Sequence, residues 1–291
     1  MGLLDGKVAI ITGAGGGLGE AYAKLFAREG AAVVVNDLGG ARDGSGAGTS
    51  AAAQKVVDAI TADGGRAVAN GDDVSIVEGG QAIFQTAIDA FGQVDILVNN
   101  AGILRDKTFA NTGEQDWDLV VKVHLKGTYN CTAPVWKYLK DNGRKGVIIM
   151  TSSTSGLYGN FGQSNYGAAK AGIYGFMRVL ALEGARYGIR VMGLAPGAFT
   201  RMTSDLPGMR DREPSVLALP ENIAPAVLYM ASDLAEGQTG KVLGVSQRGV
   251  SEMKMLQVPG FRPSEPYTAQ DVAAHADEVF FPADWERVVT L

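Results

Sequence analysis

Tyr166 and Lys170 stand four residues apart in Ser164-Asn165-Tyr166-Gly167-Ala168-Ala169-Lys170, a spacing that puts both side chains on one face of a helix. A phenol of ordinary pKa near 10 is a poor base at neutral pH, but an ammonium about 4 to 5 Å away supplies up to ~4 kcal/mol, about three pKa units. The pair is a candidate general acid/base that would exchange a proton with an alcohol or a carbonyl oxygen, while a nicotinamide cofactor carries the hydride. Lys170 would also hold the ribose next to the reacting ring. Ser153, thirteen residues before Tyr166, would hydrogen-bond the substrate oxygen. Ser152, Thr154 and Ser155 compete for that role, and serine in such a segment is also a common turn residue.

A second group of residues is of the kind that holds a dinucleotide. The stretch 12–19 (TGAGGGLG) follows an apolar run at 8–11 and opens a helix-compatible segment at 21–28. Gly13, Gly17, Leu18 and Gly19 would let a pyrophosphate approach the helix N-terminus, where unpaired N–H groups and the helix dipole favour an anion. Asp37 lies twenty residues beyond Gly17, where an acid accepts from the adenosine ribose hydroxyls. A 2′-phosphate about 4 Å from it would be repelled by ~4 kcal/mol per unit charge at an effective dielectric of 20, which argues for NAD over NADP. Arg42 nearby would soften that discrimination. Asp73 would accept from the adenine amine and Val74 would line the ring, although an acid there is equally suited to capping a helix. Asn99, Ala101 and Gly102 end a further apolar run, where small residues admit a cofactor.

These residues need a scaffold, and the pattern supplies one. Short apolar runs at 8–11, 32–35, 67–69, 96–98, 147–150, 189–191 and 242–245 alternate with helix-length amphipathic segments. Runs apolar on both faces, separated by room for a crossover helix, predict a buried parallel sheet. The expected fold is α/β: a Rossmann-type doubly wound sheet of seven parallel strands with helices on both faces. It forms one domain over 1–246, with a C-terminal extension over 247–291 packing on the domain or across a dimer. A glycine-rich insertion at 39–48 interrupts the second crossover and is longer than usual connections. The Pro- and Gly-containing stretch 201–220 is expected to be a substrate lid.

Composition removes other classes. The 291 residues carry a formal net charge of −5 with no long basic block, which gives no footprint for nucleic acid and little attraction to anionic membranes. One cysteine allows no internal disulfide, and two histidines with it form no clustered metal site. No apolar run approaches the roughly 20 residues of a membrane helix. No address signal is visible, so the expected location is cytoplasmic.

Taken together, the glycine stretch, Asp37, Asn99-Asn100-Ala101-Gly102, Ser153, Tyr166 and Lys170 resemble the short-chain dehydrogenase/reductase family over about 7–245. The resemblance implies Gly13, Gly17 and Gly19 at the cofactor phosphates, the 99–102 segment on the adenine side, and Ser153 polarising the substrate. Tyr166 is then the acid/base and Lys170 its activator. Pro196 and Gly197 match the family's nicotinamide loop, where Thr200 or Thr203 would meet the carboxamide, with Thr200 preferred. The wider family has Asn where this chain has His124, so His124 either bonds a relay water or sits satisfied in the core. Met192, also at a frequent Asn position, reads as packing.

A narrower likeness lies in 35–40, the insertion, 102–106, 123–125 and 156–166 (GLYGNFGQSNY). These resemble the subgroup formed by the (3R)-hydroxyacyl-CoA dehydrogenase modules of peroxisomal multifunctional enzymes of type 2, in which His at the 124 position is expected. The subgroup implies NAD-dependent oxidation of a (3R)-3-hydroxyacyl-CoA to a 3-ketoacyl-CoA. The alternatives are a hydroxysteroid dehydrogenase, a 3-ketoacyl reductase, or a non-catalytic NAD-sensing module. The substrate is then an acyl-CoA thioester or a steroid. The small residues along 167–175 suit a homodimer or homotetramer face.

Overall fold

The computed structural model describes residues 2–46, 48–198 and 215–282. They fall into two compact units, one ending at Met253 and one beginning at Lys254.

Seven strands form where the apolar runs stand: β1 Val8–Thr12, β2 Ala32–Asn36, β3 Arg66–Asn70, β4 Ile96–Asn99, β5 Gly146–Thr151, β6 Ile189–Gly197 and β7 Val242–Ser246. An eighth, β8 Gly249–Met253, completes the sheet in the order β3-β2-β1-β4-β5-β6-β7-β8. The first seven are parallel. The expected count of seven parallel strands is corrected by β8, which pairs antiparallel with β7 from Ser246↔Gly249 to Val242↔Met253. Only Gln247 and Arg248 separate the paired ends, a turn too short for the crossover a parallel neighbour needs. β8 is mostly exposed and lacks the apolar run that marks a buried strand.

The principal helices are α1 Gly17–Arg28, α2 Ala51–Ala62, α3 Val77–Phe91, α4 Glu114–Val121, α5 Gly127–Asp141, α6 Thr154–Leu157, α7 Ser164–Gly184 and α8 Pro220–Ala231. Side-chain alternation along the strands divides the core in two. Ala9, Ile11, Val33, Val35, Val98 and Ile149 pack with α1, α2 and α8, while Val8, Ile10, Val34, Leu97, Ile148 and Met150 pack with α3, α5 and α7. Both faces are thus covered, as the double-sided apolar runs require. In the second unit, α9 Ala269–Ala274 starts with a capping box between Thr268 and Asp271, followed by α10 Ala276–Val279. Phe261 there stacks on His275 at 4.0 Å and meets Tyr267 edge-on.

Strand order reverses between β1 and β4. Chain leaving β1 turns towards one side and chain leaving β4 towards the other, which opens a crevice at their carboxyl ends. No described helix is long and apolar enough to cross a membrane.

Candidate active site

A cleft of about 380 Å³ occupies that crevice. Its floor is the turn after β1, which has room only because side chains are missing. A Cβ on Gly13 would stand 2.7 Å from Ala101 Cα, and one on Gly19 would stand 2.3 Å from the Gly13 carbonyl oxygen. Gly13 and Gly17 take φ of 64° and 56°, a region that favours glycine. The β4 end locks this turn. Thr12 Oγ1 accepts from the Asn100 and Ala101 N–H groups at 3.0 and 3.1 Å. Asn100 Nδ2 donates to the carbonyls of Thr12 and Gly13 at 2.9 and 3.0 Å. The backbone facing the cleft at the start of α1 is therefore bare and rigid, which is the cradle a pyrophosphate needs.

Asp37 follows β2 on the cleft wall. Its carboxylate accepts from Gly15 N at 2.8 Å and Gly39 N at 2.7 Å, and lone pairs remain for ribose hydroxyls. Asp73 and Val74 also line the cleft. Both Asp73 oxygens are engaged by Ser75, from its N–H and its hydroxyl, each at 2.8 Å, so the residue serves the turn before α3 whatever else it does. Ala101, Gly102, Leu18, Gly17 and Pro196 share the cleft lining, whereas Asn99, Gly19 and Gly197 do not. Asn99 points to the opposite side, donating to Thr132 Oγ1 at 3.0 Å. Thr200 and Thr203 lie outside the described residues.

The reactive group stands at the other end. The buried stripe of α7 runs through Asn165, Ala169, Lys170, Ile173 and Met177, and a lysine in such a stripe marks a site, since an unpaired buried ammonium is costly. Lys170 Nζ donates to the Thr151 carbonyl at 2.6 Å and lies 5.5 Å from the centre of the Tyr166 ring. Ser153, just past β5, stands close enough to the Tyr166 phenol to favour its ionised form, which gathers Ser153, Tyr166 and Lys170 into one cluster. Its protonation differs from the expected depression of the phenol by Lys170. Burial pushes the Tyr166 phenol up to about 12, against the effect of Ser153, and nearby Asp106 adds to the rise. Burial also lowers Lys170 to about 7. Low dielectric disfavours both charged forms and outweighs their mutual attraction.

His124 sits in a π turn, Lys122–Lys126, between α4 and α5, a feature common at functional sites. Its Nε2 lies 2.8 Å from the Ile103 carbonyl oxygen and 3.1 Å from the Ile103 nitrogen. Its buried Nδ1 meets no hydrogen-bond partner among the described residues. The ring meets Tyr166 edge-on at 5.1 Å. Burial, with Lys170 adding to it, drops its pKa to about 3, so the imidazole is neutral.

Several contributors lay beyond the sequence reading. Gln163 donates to Asp106 at 2.7 Å and accepts from Ser155 Oγ at 2.7 Å. Asn165, immediately before Tyr166, donates to the carbonyls of Arg105 and Asp116 and accepts from Tyr166 N at 2.8 Å. Asp116 in turn binds Arg105 at 3.1 Å and Lys107 at 2.6 Å. These groups weld the start of α7 to the chain after β4. Adjacent polar residues were the available signal, but the partners that join Gln163 and Asn165 to the chain after β4 lie 49 to 60 positions away.

The family model described as short chain dehydrogenase matches residues 7–210. The chain belongs to this family. This short-chain dehydrogenase is 47% identical over 276 residues to a Mycobacterium tuberculosis protein named as a short-chain type dehydrogenase/reductase, covering 94% of this chain and 93% of the other. It is 50% identical over 238 residues to mouse peroxisomal multifunctional enzyme type 2, covering 81% of this chain but only 31% of that enzyme. Among solved structures, a short chain dehydrogenase from Mycobacterium avium superposes with TM-score 0.84 at 41% identity, covering 97% and 98% of the two chains. The protein is therefore an oxidoreductase of a family that uses NAD or NADP.

Proposed function

We propose that this dehydrogenase interconverts a secondary alcohol and a ketone with NAD, acting on (3R)-3-hydroxyacyl-CoA and 3-ketoacyl-CoA. The observation that carries the reading is that Tyr166 and Lys170, which Ser153 adjoins, line the same cleft as Asp37. The 50% identity over 238 residues to mouse peroxisomal multifunctional enzyme type 2 supports the subgroup resemblance, which implies the thioester substrate class.

Bound NAD would supply the hydride acceptor, held by the 13–18 backbone at its pyrophosphate, by Asp37 at the adenosine ribose, and by Lys170 at the second ribose. Ser153 donates a hydrogen bond to the substrate oxygen and orients it towards Tyr166. In oxidation, Tyr166 as phenolate takes the hydroxyl proton as the carbon-bound hydrogen departs with its electron pair. Ser153 favours the phenolate, as does Lys170 in the fraction that keeps its proton. His124, neutral and bonded to Ile103, holds the chain after β4 against the Tyr166 ring. The raised pKa of Tyr166 favours a second reading, net reduction of a 3-ketoacyl thioester, because the protonated phenol is already the required donor.

The reading extends to a homo-oligomer formed through α7, which presents Val179 and Leu182 to solvent at 52% and 78% exposure. The deciding assay is NADH formation with (3R)- against (3S)-3-hydroxyacyl-CoA across chain lengths. Turnover of the (3R) series alone is expected; no turnover of either, or equal turnover, would reject the substrate assignment.

A further inference from the structure

The glycine-rich insertion is not a loose loop. Its ends touch: a Cβ on Gly39 would stand 2.1 Å from the Thr49 carbonyl oxygen, and one on Gly48 would stand 2.4 Å from that of Leu38. Within 41–45 the chain is folded on itself. Ala41 N donates to the Ser45 carbonyl at 2.8 Å and Gly44 N to the Ala41 carbonyl at 2.9 Å. The Asp43 carboxylate accepts from the N–H and hydroxyl of Ser45 at 3.0 and 2.6 Å. A closed neck and internal bonding are the marks of a compact Ω-loop, a class often functional.

The loop is also fastened across the cleft. It springs from the Asp37 end, yet Leu104 N donates to the Arg42 carbonyl at 3.0 Å and Arg105 Nε to the Asp43 carbonyl at 2.8 Å. Arg105 is held for this task by Asp116. Gly44, at φ 80°, lies so close to Ile103 and Leu119 that a Cβ would meet them at 3.1 and 3.3 Å. Gly40, Ala41, Arg42 and Gly44 line the same cleft as Asp37 and Lys170. Any ligand reaching from one of those residues to the other passes along this loop.

We propose that residues 39–46 form a clasp that retains the dinucleotide and sets its rate of release. The proposal rests on the dinucleotide reading above. Release requires the two backbone-carbonyl bonds to break and Gly44 to leave its seat, whereas the glycine cradle before α1 makes neither of those fastenings. By microscopic reversibility entry passes the same opening, so loosening the clasp speeds association as well as dissociation.

The test is NADH release followed by stopped-flow fluorescence on displacement with excess NAD, which needs no substrate. It compares the wild type, a variant lacking residues 40–46, and Arg105→Ala, which removes one fastening and leaves the loop in place. At least tenfold faster release in the deletion and several-fold faster release in Arg105→Ala are expected, with association as fast as in the wild type or faster. Release at the wild-type rate in both variants overturns the clasp while leaving the dinucleotide site standing. Should the deletion fail to fold, Arg105→Ala decides alone. A wild type that binds no NADH overturns the dinucleotide reading and the clasp with it.

Discussion

Asp37→Asn separates the charge of Asp37 from its shape. The carboxylate receives two backbone N–H groups, from Gly15 at 2.8 Å and Gly39 at 2.7 Å. Hydrogen bonds to a charged group contribute about 1.5 to 3 kcal/mol each. Asparagine keeps one acceptor oxygen and turns its amide towards the other N–H, so a loss of roughly 2 to 3 kcal/mol is expected, or about 4 to 12 °C in melting temperature for a domain of this size. The same charge opposes a 2′-phosphate. At about 4 Å and an effective dielectric of 20 the repulsion is ~4 kcal/mol per unit charge, which screening in an open cleft reduces. The wild type should thus prefer NAD by at least about 10² in kcat/KM. The variant should narrow that ratio at least tenfold, chiefly through tighter NADPH binding. Steady-state kinetics and fluorescence titration with both cofactors, alongside thermal melts, measure each part. An unchanged cofactor ratio in a folded variant would refute the placement of Asp37 beside the 2′ position.

Gly19→Ala drives a Cβ to 2.3 Å from the Gly13 carbonyl oxygen and 2.7 Å from Asn100 Nδ2; overpacking of this kind costs about 1 to 3 kcal/mol, so both melting temperature and NADH affinity should fall. His124 makes stability sensitive to acid. Its folded pKa is about 3 against 6.5 for the free side chain, so the unfolded chain takes up more protons between those values and stability falls as pH drops through that window, by up to roughly 4 to 5 kcal/mol. His124→Asn should show a shallower decline in denaturant midpoints from pH 7 to 4, and an equally steep one would count against a neutral buried imidazole. Because the Tyr166 phenol is held near 12, kcat/KM for alcohol oxidation should climb from pH 7 to 10 with a logarithmic slope of at most one, while ketone reduction stays nearly flat; a flat oxidation profile contradicts the phenolate role.

The parts of the site that were legible in the sequence are those whose geometry is local. Tyr166 and Lys170 share a face because helix pitch dictates it, and the glycines before α1 announce a turn that no side chain could occupy. Strands β1, β2, β4, β5 and β6 declared themselves by apolar runs because both their faces are covered, and the partly buried β3 and β7 still carry short ones. β8 did not, since an edge strand exposed along most of its length has no such run. The protonation of the cluster is not legible for a physical reason: charge attraction can be read from spacing, whereas desolvation depends on how deeply the tertiary structure buries both groups. The same holds for Asn99 and Asn100. Adjacent residues at a strand end face opposite sides, and only the structure shows that Asn100, not Asn99, braces the glycine turn. The insertion was visible as a long glycine-rich stretch, but its fastening to Leu104 and Arg105 joins residues 62 positions apart and left no local mark.

The central claim is that the Tyr166 hydroxyl moves the substrate proton. Tyr166→Phe removes that one oxygen and leaves the ring against His124 and beside Lys170. With NADH affinity measured by fluorescence as the control, kcat should fall by at least ~10² in both directions while the dissociation constant stays within about threefold of wild type. Turnover at the wild-type rate with intact cofactor binding would contradict the account.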